Sequence, residues 1–143
     1  MQKLLIISSF LLLISCSNRA KQNRQEQQQN IVAEKTTVRF DKTTHNFGTL
    51  SAGEIVLFTF EFTNTGEHNY QISAIESDCG CISTNHIREV VKPGEKGWIE
   101  VEFDTSGLVG REYKTIEIHG NSNELKHLAI FAEVKNELLD IKY

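Results

Sequence analysis

Two cysteines that flank a single glycine are the residues of this chain best suited to chemistry. Cys79, Gly80 and Cys81 follow one another directly. In an extended strand, residues two apart project to the same face with their Cα atoms about 6.6 Å apart, near the upper end of the range of about 4.4–6.8 Å that a disulfide bridges. Gly80 lets the chain bend and shortens this distance. The spacing therefore permits a disulfide between Cys79 and Cys81.

Three interpretations of this cysteine pair remain open. A three-residue disulfide loop stabilises a fold by only about 1.6 kcal/mol, by extrapolation of the loop-entropy relation, so such a bond is either redox-active or a local clamp on a turn. Two thiolates on one face also suit Cu(I), which prefers soft sulfur ligands, whereas Zn²⁺ needs four ligands. Otherwise Cys79 and Cys81 are small, partly buried apolar side chains, or belong to an interaction surface.

The neighbours of the pair give little support to metal binding or to an activated thiol. His86 is the nearest imidazole in the sequence, and the other four histidines are scattered. Asp78 directly precedes Cys79, and a neighbouring carboxylate disfavours the negatively charged thiolate. This argues against Cys79 as an activated nucleophile.

The third cysteine, Cys16, ends an N-terminal apolar segment. Lys3 precedes a run of apolar residues from 4 to 14 that only Ser8 and Ser9 interrupt, and Ser15 follows it. A basic start, a run of about 7–15 apolar residues and a small residue at its end are typical of a secretory signal rather than of a membrane-spanning helix. We expect residues 1–15 to be a signal peptide.

The end of this segment, Leu13-Ile14-Ser15-Cys16, resembles the lipobox of bacterial lipoproteins. The resemblance implies that the signal is cut before Cys16 and that the Cys16 thiol is acylated, for example with palmitate, and anchors the chain to a membrane. Ser17 after the cysteine resembles lipoproteins sorted to an outer membrane, which implies a location in the cell envelope facing the periplasm. That compartment is oxidising, so a disulfide can persist there.

Residues 17–35 differ sharply in composition from the rest of the chain. They are polar and rich in glutamine and asparagine, so we expect Cys16 to be followed by a flexible tether up to residue 35. The tether carries four basic and two acidic side chains, whereas residues 36–143 carry ten basic and 17 acidic ones. A basic tether can lie on anionic lipid headgroups, although a solvated linker is the favoured interpretation. The acidic globular part argues against nucleic acid as a partner.

Apolar and polar residues alternate at period two in several segments after residue 36, which predicts half-buried strands. Turn signals separate these segments, among them Asn64-Thr65-Gly66, in which we expect Gly66 to adopt a left-handed conformation. No helical period lies between them, so we predict an all-β domain over residues 36–143, an antiparallel β-sandwich. The clearest predicted core positions are Val56, Phe58, Phe60, Phe62, Ile99, Val101, Phe103, Leu128, Ile130 and Val134.

Five sequence pieces in this order resemble the bacterial domain-of-unknown-function 1573 family. They are Asn46-Phe47-Gly48-Thr49-Leu50, the segment from Phe60 to Gly66, Cys79-Gly80-Cys81, Lys92-Pro93-Gly94 and the segment from Val101 to Thr105. That family is similar in turn to the Ig-like domains of the ASPM/SPD-2/Hydin and major-sperm-protein type. The resemblance covers about residues 37–135 and implies an Ig-like β-sandwich of about seven to eight strands in the cell envelope. It implies no assigned chemistry.

Two functions follow from these observations. The first is a lipid-anchored envelope protein whose Ig-like domain is a non-enzymatic binding or assembly module that docks envelope proteins or glycans. Its partners are the membrane, through Cys16, and an envelope protein, with no cofactor. The alternative is thiol redox or Cu(I) handling at Cys79 and Cys81. The chain has no Gly-x-Ser-x-Gly, no glycine-rich phosphate loop and no His-Glu-x-x-His sequence, which favours the non-enzymatic interpretation.

The lipid anchor is directly testable by replacing its thiol. We expect the wild-type chain to incorporate labelled palmitate in cells and to fractionate with membranes, and the Cys16→Ala variant to lose the label because no other thiol occupies the lipobox position. Cys81→Ser is the matched control, which keeps both the label and the membrane location. Mass spectrometry that finds an unmodified Cys16 in the membrane-bound wild type would refute the anchor.

Overall fold

The computed structural model describes residues 34–136, which form eight strands in two four-stranded sheets. The strands are β1 (Val38–Phe40), β2 (Thr44–Ser51), β3 (Ile55–Asn64), β4 (Ile72–Ser77), β5 (Ile82–His86), β6 (Lys96–Asp104), β7 (Gly110–Gly120) and β8 (Lys126–Lys135). Sheet I has the order β1-β3-β6-β5 and sheet II the order β2-β8-β7-β4. The predicted β-sandwich of about seven to eight strands is confirmed. Within residues 34–136, no helix is long and apolar enough to cross a membrane.

The core lies between the two sheets and consists mainly of the residues that the alternation pointed to. Phe60 pairs with Ile99 across β3 and β6, and both side chains are fully buried. Sheet II contributes Ile116 and Ile118 of β7 and, from β8, Leu128, Ile130 and Val134. Val56 and Phe58 are the two predicted core residues that are only partly buried, although they still pack against the core. Burial of each such side chain contributes about 1.5–3 kcal/mol, which gives the sandwich its main stabilisation.

One strand pair departs from the antiparallel arrangement. β2 runs parallel to β8, with Thr44 opposite Ala129 and Ser51 opposite Lys135. The cause lies in the connection, because only residues 41–43 separate β1 from β2. The chain changes sheet there without reversing direction and so meets β8 running the same way. Alternation reports which face of a strand is buried, and it carries no information on the direction of the neighbouring strand.

The end of the predicted tether lies against the sandwich. The Lys35 ammonium donates a hydrogen bond to the backbone carbonyl of Ser122 at 3.3 Å, and the Asn121 amide donates to the carbonyl of Glu34 at 2.7 Å. The predicted signal peptide, Cys16 and tether residues 17–33 lie outside the described residues, as do residues 137–143 at the end of the predicted domain.

The side chain of Asn64 is fully buried at the end of β3 and satisfies several polar groups at once. Its Oδ1 accepts a hydrogen bond from Thr36 Oγ1 at 2.9 Å and one from the Gly66 amide at 3.2 Å. Its Nδ2 donates to the carbonyls of His68 at 2.7 Å and Val91 at 2.9 Å. One amide therefore joins the segment before β1, the loop after β3 and the segment before β6.

Gly66, in the turn after Asn64, is required for a reason other than the expected one. The prediction of a left-handed conformation is wrong, because Gly66 is not among the glycines of positive φ. Instead, a Cβ at this position would lie 2.5 Å from the Thr37 backbone nitrogen and would also collide with Thr36. The backbones of the turn and of the first segment approach so closely that only glycine fits.

Removing the Asn64 side chain tests its role in closing this end of the sandwich. We expect Asn64→Ala to lower the free energy of unfolding by about 3 kcal/mol, because buried groups without partners cost about 1–3 kcal/mol each and the Thr36 hydroxyl is among those left. Urea denaturation followed by circular dichroism measures the change. Asn85→Ala is the matched control at an exposed site, where we expect a change below about 0.5 kcal/mol. Equal effects of the two substitutions would contradict this role.

His45 makes the stability depend on pH. Its ring stacks on Phe58 with centroids 3.6 Å apart, and burial, followed by the charge of Lys42, lowers the pKa of His45 below its ordinary value. Because the pKa is lower in the folded state than in the unfolded chain, the unfolded chain binds the proton more tightly. The contribution of His45 to stability is therefore fully present above the ordinary pKa of about 6.5. It is lost as the pH falls from that value to the lower pKa of the folded state.

We expect His45→Phe, which keeps the stacked ring, to lose less stability than the wild type between about pH 7.5 and pH 5.5. Urea midpoints at the two pH values give the comparison. The pKa of His86 is also lowered, by burial and by Arg88, so the variant keeps part of the acid sensitivity. If both proteins lose the same stability on acidification, His45 does not cause the pH dependence.

Candidate functional site

Cys79 and Cys81 lie at the corner where the chain leaves one sheet and enters the other. β4 is an edge strand of sheet II, β5 is an edge strand of sheet I, and residues 78–81 connect them. The two sulfur atoms are joined in a disulfide, and the Cα atoms lie 5.3 Å apart. The separation is shorter than in an extended strand because Gly80 sits in a turn.

Backbone and side-chain hydrogen bonds attach this corner to both sheets. On the side of sheet II, Asp78 Oδ2 accepts hydrogen bonds from the Thr115 amide at 3.0 Å and from Thr115 Oγ1 at 2.9 Å. The Asp78 amide in turn donates to the Thr115 carbonyl at 3.3 Å. On the side of sheet I, the Asp104 amide donates to the Cys81 carbonyl at 3.0 Å. The corner is thus held by contacts that do not include the disulfide.

The two sulfur atoms have different surroundings. The Cys81 amide donates a hydrogen bond to Cys79 Sγ, with 3.1 Å between nitrogen and sulfur. Both cysteines are half-buried and pack against the core, whereas Gly80 between them is exposed. The disulfide therefore lies at the boundary between the core and the surface.

The metal interpretation depends on the cysteine pair alone. Within residues 34–136, no group of three or more histidine, cysteine, aspartate or glutamate side chains is placed to hold a metal ion. His86, the nearest imidazole in the sequence, lies in β5 opposite Ile99. In the disulfide the sulfurs are not thiolates, so only the reduced pair offers the two soft ligands that suit Cu(I).

A groove of about 560 Å³ crosses the outer face of sheet II and was not anticipated from the sequence. Tyr113 and Phe131 stand directly opposite each other on β7 and β8, and their exposed fractions are 62% and 37%. We call this feature the Tyr113 groove. It is lined by Asn46, Gly48, Thr49, Arg111, Glu112, Tyr113, Phe131, Ala132 and Glu133. Two aromatic residues at outward-facing strand positions are the sequence signal that would have indicated it.

Both signs of charge line the Tyr113 groove. Arg111 and Glu133 stand opposite each other in the β7–β8 register, and both side chains are exposed. In the part of the chain that the structure describes, neither forms a salt bridge, whereas Glu112 pairs with Lys114 at 2.8 Å. The groove therefore combines an aromatic floor with a cation and an anion that are free to contact a partner.

Solved structures with a similar fold come from unrelated settings. A protein of unknown function from Porphyromonas gingivalis W83 has a TM-score of 0.61 and 19% identity over 71% of this chain and 48% of its own. The VesB protease of Vibrio cholerae has a TM-score of 0.58 and 15% identity over 68% of this chain and 32% of its own. The chain thus spans about half of the first protein and a third of the second.

A third similar structure is a domain on its own. The ASH/PapD-like domain 7 of human CEP192 has a TM-score of 0.54 and 12% identity over 71% of this chain and 87% of that domain. At these identities the similarity shows the fold, which is the Ig-like, PapD-like β-sandwich. No curated protein matches the sequence. The family described as "Protein of unknown function (DUF1573)" matches residues 38–134, and the chain belongs to that family.

Proposed function

We propose that this protein is a lipid-anchored component of the bacterial cell envelope whose Ig-like domain binds another envelope protein without catalysing a reaction. The observation that carries this proposal is the Tyr113 groove. Adjacent exposed apolar side chains on a protein surface are typical of interaction sites, and aromatic residues and arginine dominate the binding energy of protein interfaces. Tyr113, Phe131 and Arg111 supply these residue types in one concave place.

The position of the groove favours an extended segment of a partner protein as the occupant. Asn46, Gly48 and Thr49 form one wall of the groove, and they belong to β2, an edge strand of sheet II. Among the described residues, β2 pairs with β8 only, so no strand closes the groove beyond β2. A segment that lies along the groove can contact Asn46 and Thr49 of β2 while its side chains reach Phe131 and Tyr113.

The N-terminal part of the chain supports a docking role near a membrane. The lipobox resemblance places the anchor at Cys16, and residues 17–35 form the predicted tether. At about 3.5 Å per residue, a fully extended tether reaches on the order of 60 Å from the membrane surface. A domain held in this way can search for a partner while its local concentration stays high.

A photo-crosslinking amino acid placed at Tyr113 in the full-length chain identifies the partner in cells. The matched control carries the same amino acid at Leu57, which is 57% exposed on the outer face of sheet I. We expect one envelope protein to be crosslinked from position 113 and not from position 57. Equal crosslinking from both positions would refute the groove as the binding site.

The purified partner then allows a quantitative test. We expect Tyr113→Ala to weaken binding at least about tenfold, because truncating a central aromatic residue of an interface costs about 2 kcal/mol or more. Leu57→Ala is expected to leave the dissociation constant unchanged. A Tyr113→Ala protein that binds as tightly as the wild type would contradict the proposal, whichever protein is crosslinked.

The cysteine corner supports a second candidate function, thiol redox chemistry, with Cu(I) binding by the reduced pair as its metal-dependent form. The observation in its favour is that the disulfide is partly exposed while other hydrogen bonds hold the corner in place. A bond that is not needed for the fold is free to open and close. This candidate is independent of the Tyr113 groove.

A further inference from the structure

We propose that the two cysteines have different roles in thiol–disulfide exchange. Cys81 Sγ is the atom that an incoming thiolate attacks, and Cys79 Sγ is the leaving group that carries the negative charge. The inference rests on the second candidate function and adds to it the direction in which the bond opens. It also assigns a role to a backbone group, the amide of Cys81.

The first argument is that the bond can open without loss of the corner. Asp78 remains tied to Thr115 by three hydrogen bonds, and Cys81 remains tied to the Asp104 amide. None of these contacts involves sulfur. The entropic contribution of so short a disulfide loop is small, so the reduced protein keeps most of its stability.

The second argument is the hydrogen bond to one sulfur atom. The Cys81 amide donates to Cys79 Sγ at 3.1 Å, while within residues 34–136 no donor contacts Cys81 Sγ. A hydrogen bond to a charged acceptor is about twice as strong as one to a neutral acceptor, so this amide stabilises a thiolate at Cys79 more than it stabilises the disulfide. Exchange proceeds faster when the departing sulfur is the better-stabilised thiolate.

Charged side chains lie on both sides of the corner, so they do not set the direction of the exchange. The Asp78 carboxylate, which in the sequence argues against a thiolate at Cys79, is engaged by the Thr115 amide and hydroxyl.

On the other side of the corner, Cys81 bonds to the backbone of Asp104. The hydrogen bonds from Ser106 lower the pKa of Asp104, so its side chain stays negatively charged. Each cysteine thus has an aspartate as a neighbour, and the hydrogen bond to Cys79 Sγ is what distinguishes the two sulfur atoms.

The exchange balances with a dithiol as the co-reactant. One thiolate of the dithiol attacks Cys81 Sγ and forms a mixed disulfide, while the bond between Cys81 and Cys79 breaks and its electron pair stays on Cys79 Sγ. The second thiol of the dithiol, once deprotonated, attacks the dithiol sulfur that is bonded to Cys81 Sγ. This closes the disulfide of the dithiol and releases Cys81 as a thiolate. The dithiol is oxidised to a disulfide by two electrons, and the protein disulfide is reduced to two thiols.

Single-cysteine variants of the full-length chain test the assignment, with Cys16→Ala in the background so that one thiol remains. Cys81→Ser keeps the backbone amide that faces Cys79, so it preserves the donor. We expect the thiol of Cys79 in this variant to have a pKa about one unit below that of Cys81 in Cys79→Ser, and therefore to be alkylated about tenfold faster near pH 7. In urea, where the corner is unfolded, the two thiols are expected to react at equal rates.

Equilibration of the Cys16→Ala chain with dithiothreitol separates the two levels of the proposal. Reversible reduction of the Cys79–Cys81 bond, with an unchanged circular dichroism spectrum, supports the redox function. If the bond cycles but both thiols titrate alike in the folded variants, the assignment of roles fails and the redox function stands. If dithiothreitol does not reduce the bond without unfolding the protein, both fail.

Discussion

The buried amide of Asn64 is the interaction on which one whole end of the sandwich depends. Four partners converge on it from the segment before β1, the turn and loop after β3 and the segment before β6. No apolar side chain could take its place, because the buried Thr36 hydroxyl would then lose its acceptor. Its geometry also fixes the close approach at Gly66, since the turn can only bond to Oδ1 by lying against Thr36.

The opposite end of the sandwich is organised around β7. Thr115 of this strand holds the cysteine corner through Asp78, and Tyr113, two residues earlier, lies in the groove. Residues two apart in a strand project to the same face, so the corner and the groove are neighbours on the outer surface of sheet II. The same short stretch of β7 thus supports both candidate sites, one through its hydrogen bonds and the other through an aromatic side chain.

Hydrophobic alternation was sufficient to predict the sandwich and most of its core. Phe60, Ile99 and Ile130 lie at the apolar positions of period-two patterns, and such positions face the core. It could not predict which strands become neighbours, so the parallel pairing of β2 with β8 was missed. The role of Gly66 was also missed, since a close approach between distant segments leaves no local signature.

The candidate sites were predictable to different degrees, because a sequence shows local motifs but not contacts between distant segments. The Cys-Gly-Cys motif is local, so its spacing alone indicated a disulfide or a thiolate pair. Its position between the two sheets, and the hydrogen bonds of Asp78 with Thr115, depend on residues 37 positions apart. The Tyr113 groove combines residues of β2, β7 and β8, and it becomes visible only when the strand order is known.

The two outer faces of the sandwich also differ in what they can bind. Sheet I exposes Ile55 and Leu57, which stand opposite Asp104 and Glu102. These aliphatic residues are bordered by acidic side chains only. The net negative charge of the chain adds to the repulsion of anionic partners there. Sheet II instead places two aromatic rings beside Arg111 and Glu133, which form no salt bridge within residues 34–136. The proposed partner would gain apolar contact from the rings and charge complementarity from both signs of charge beside them.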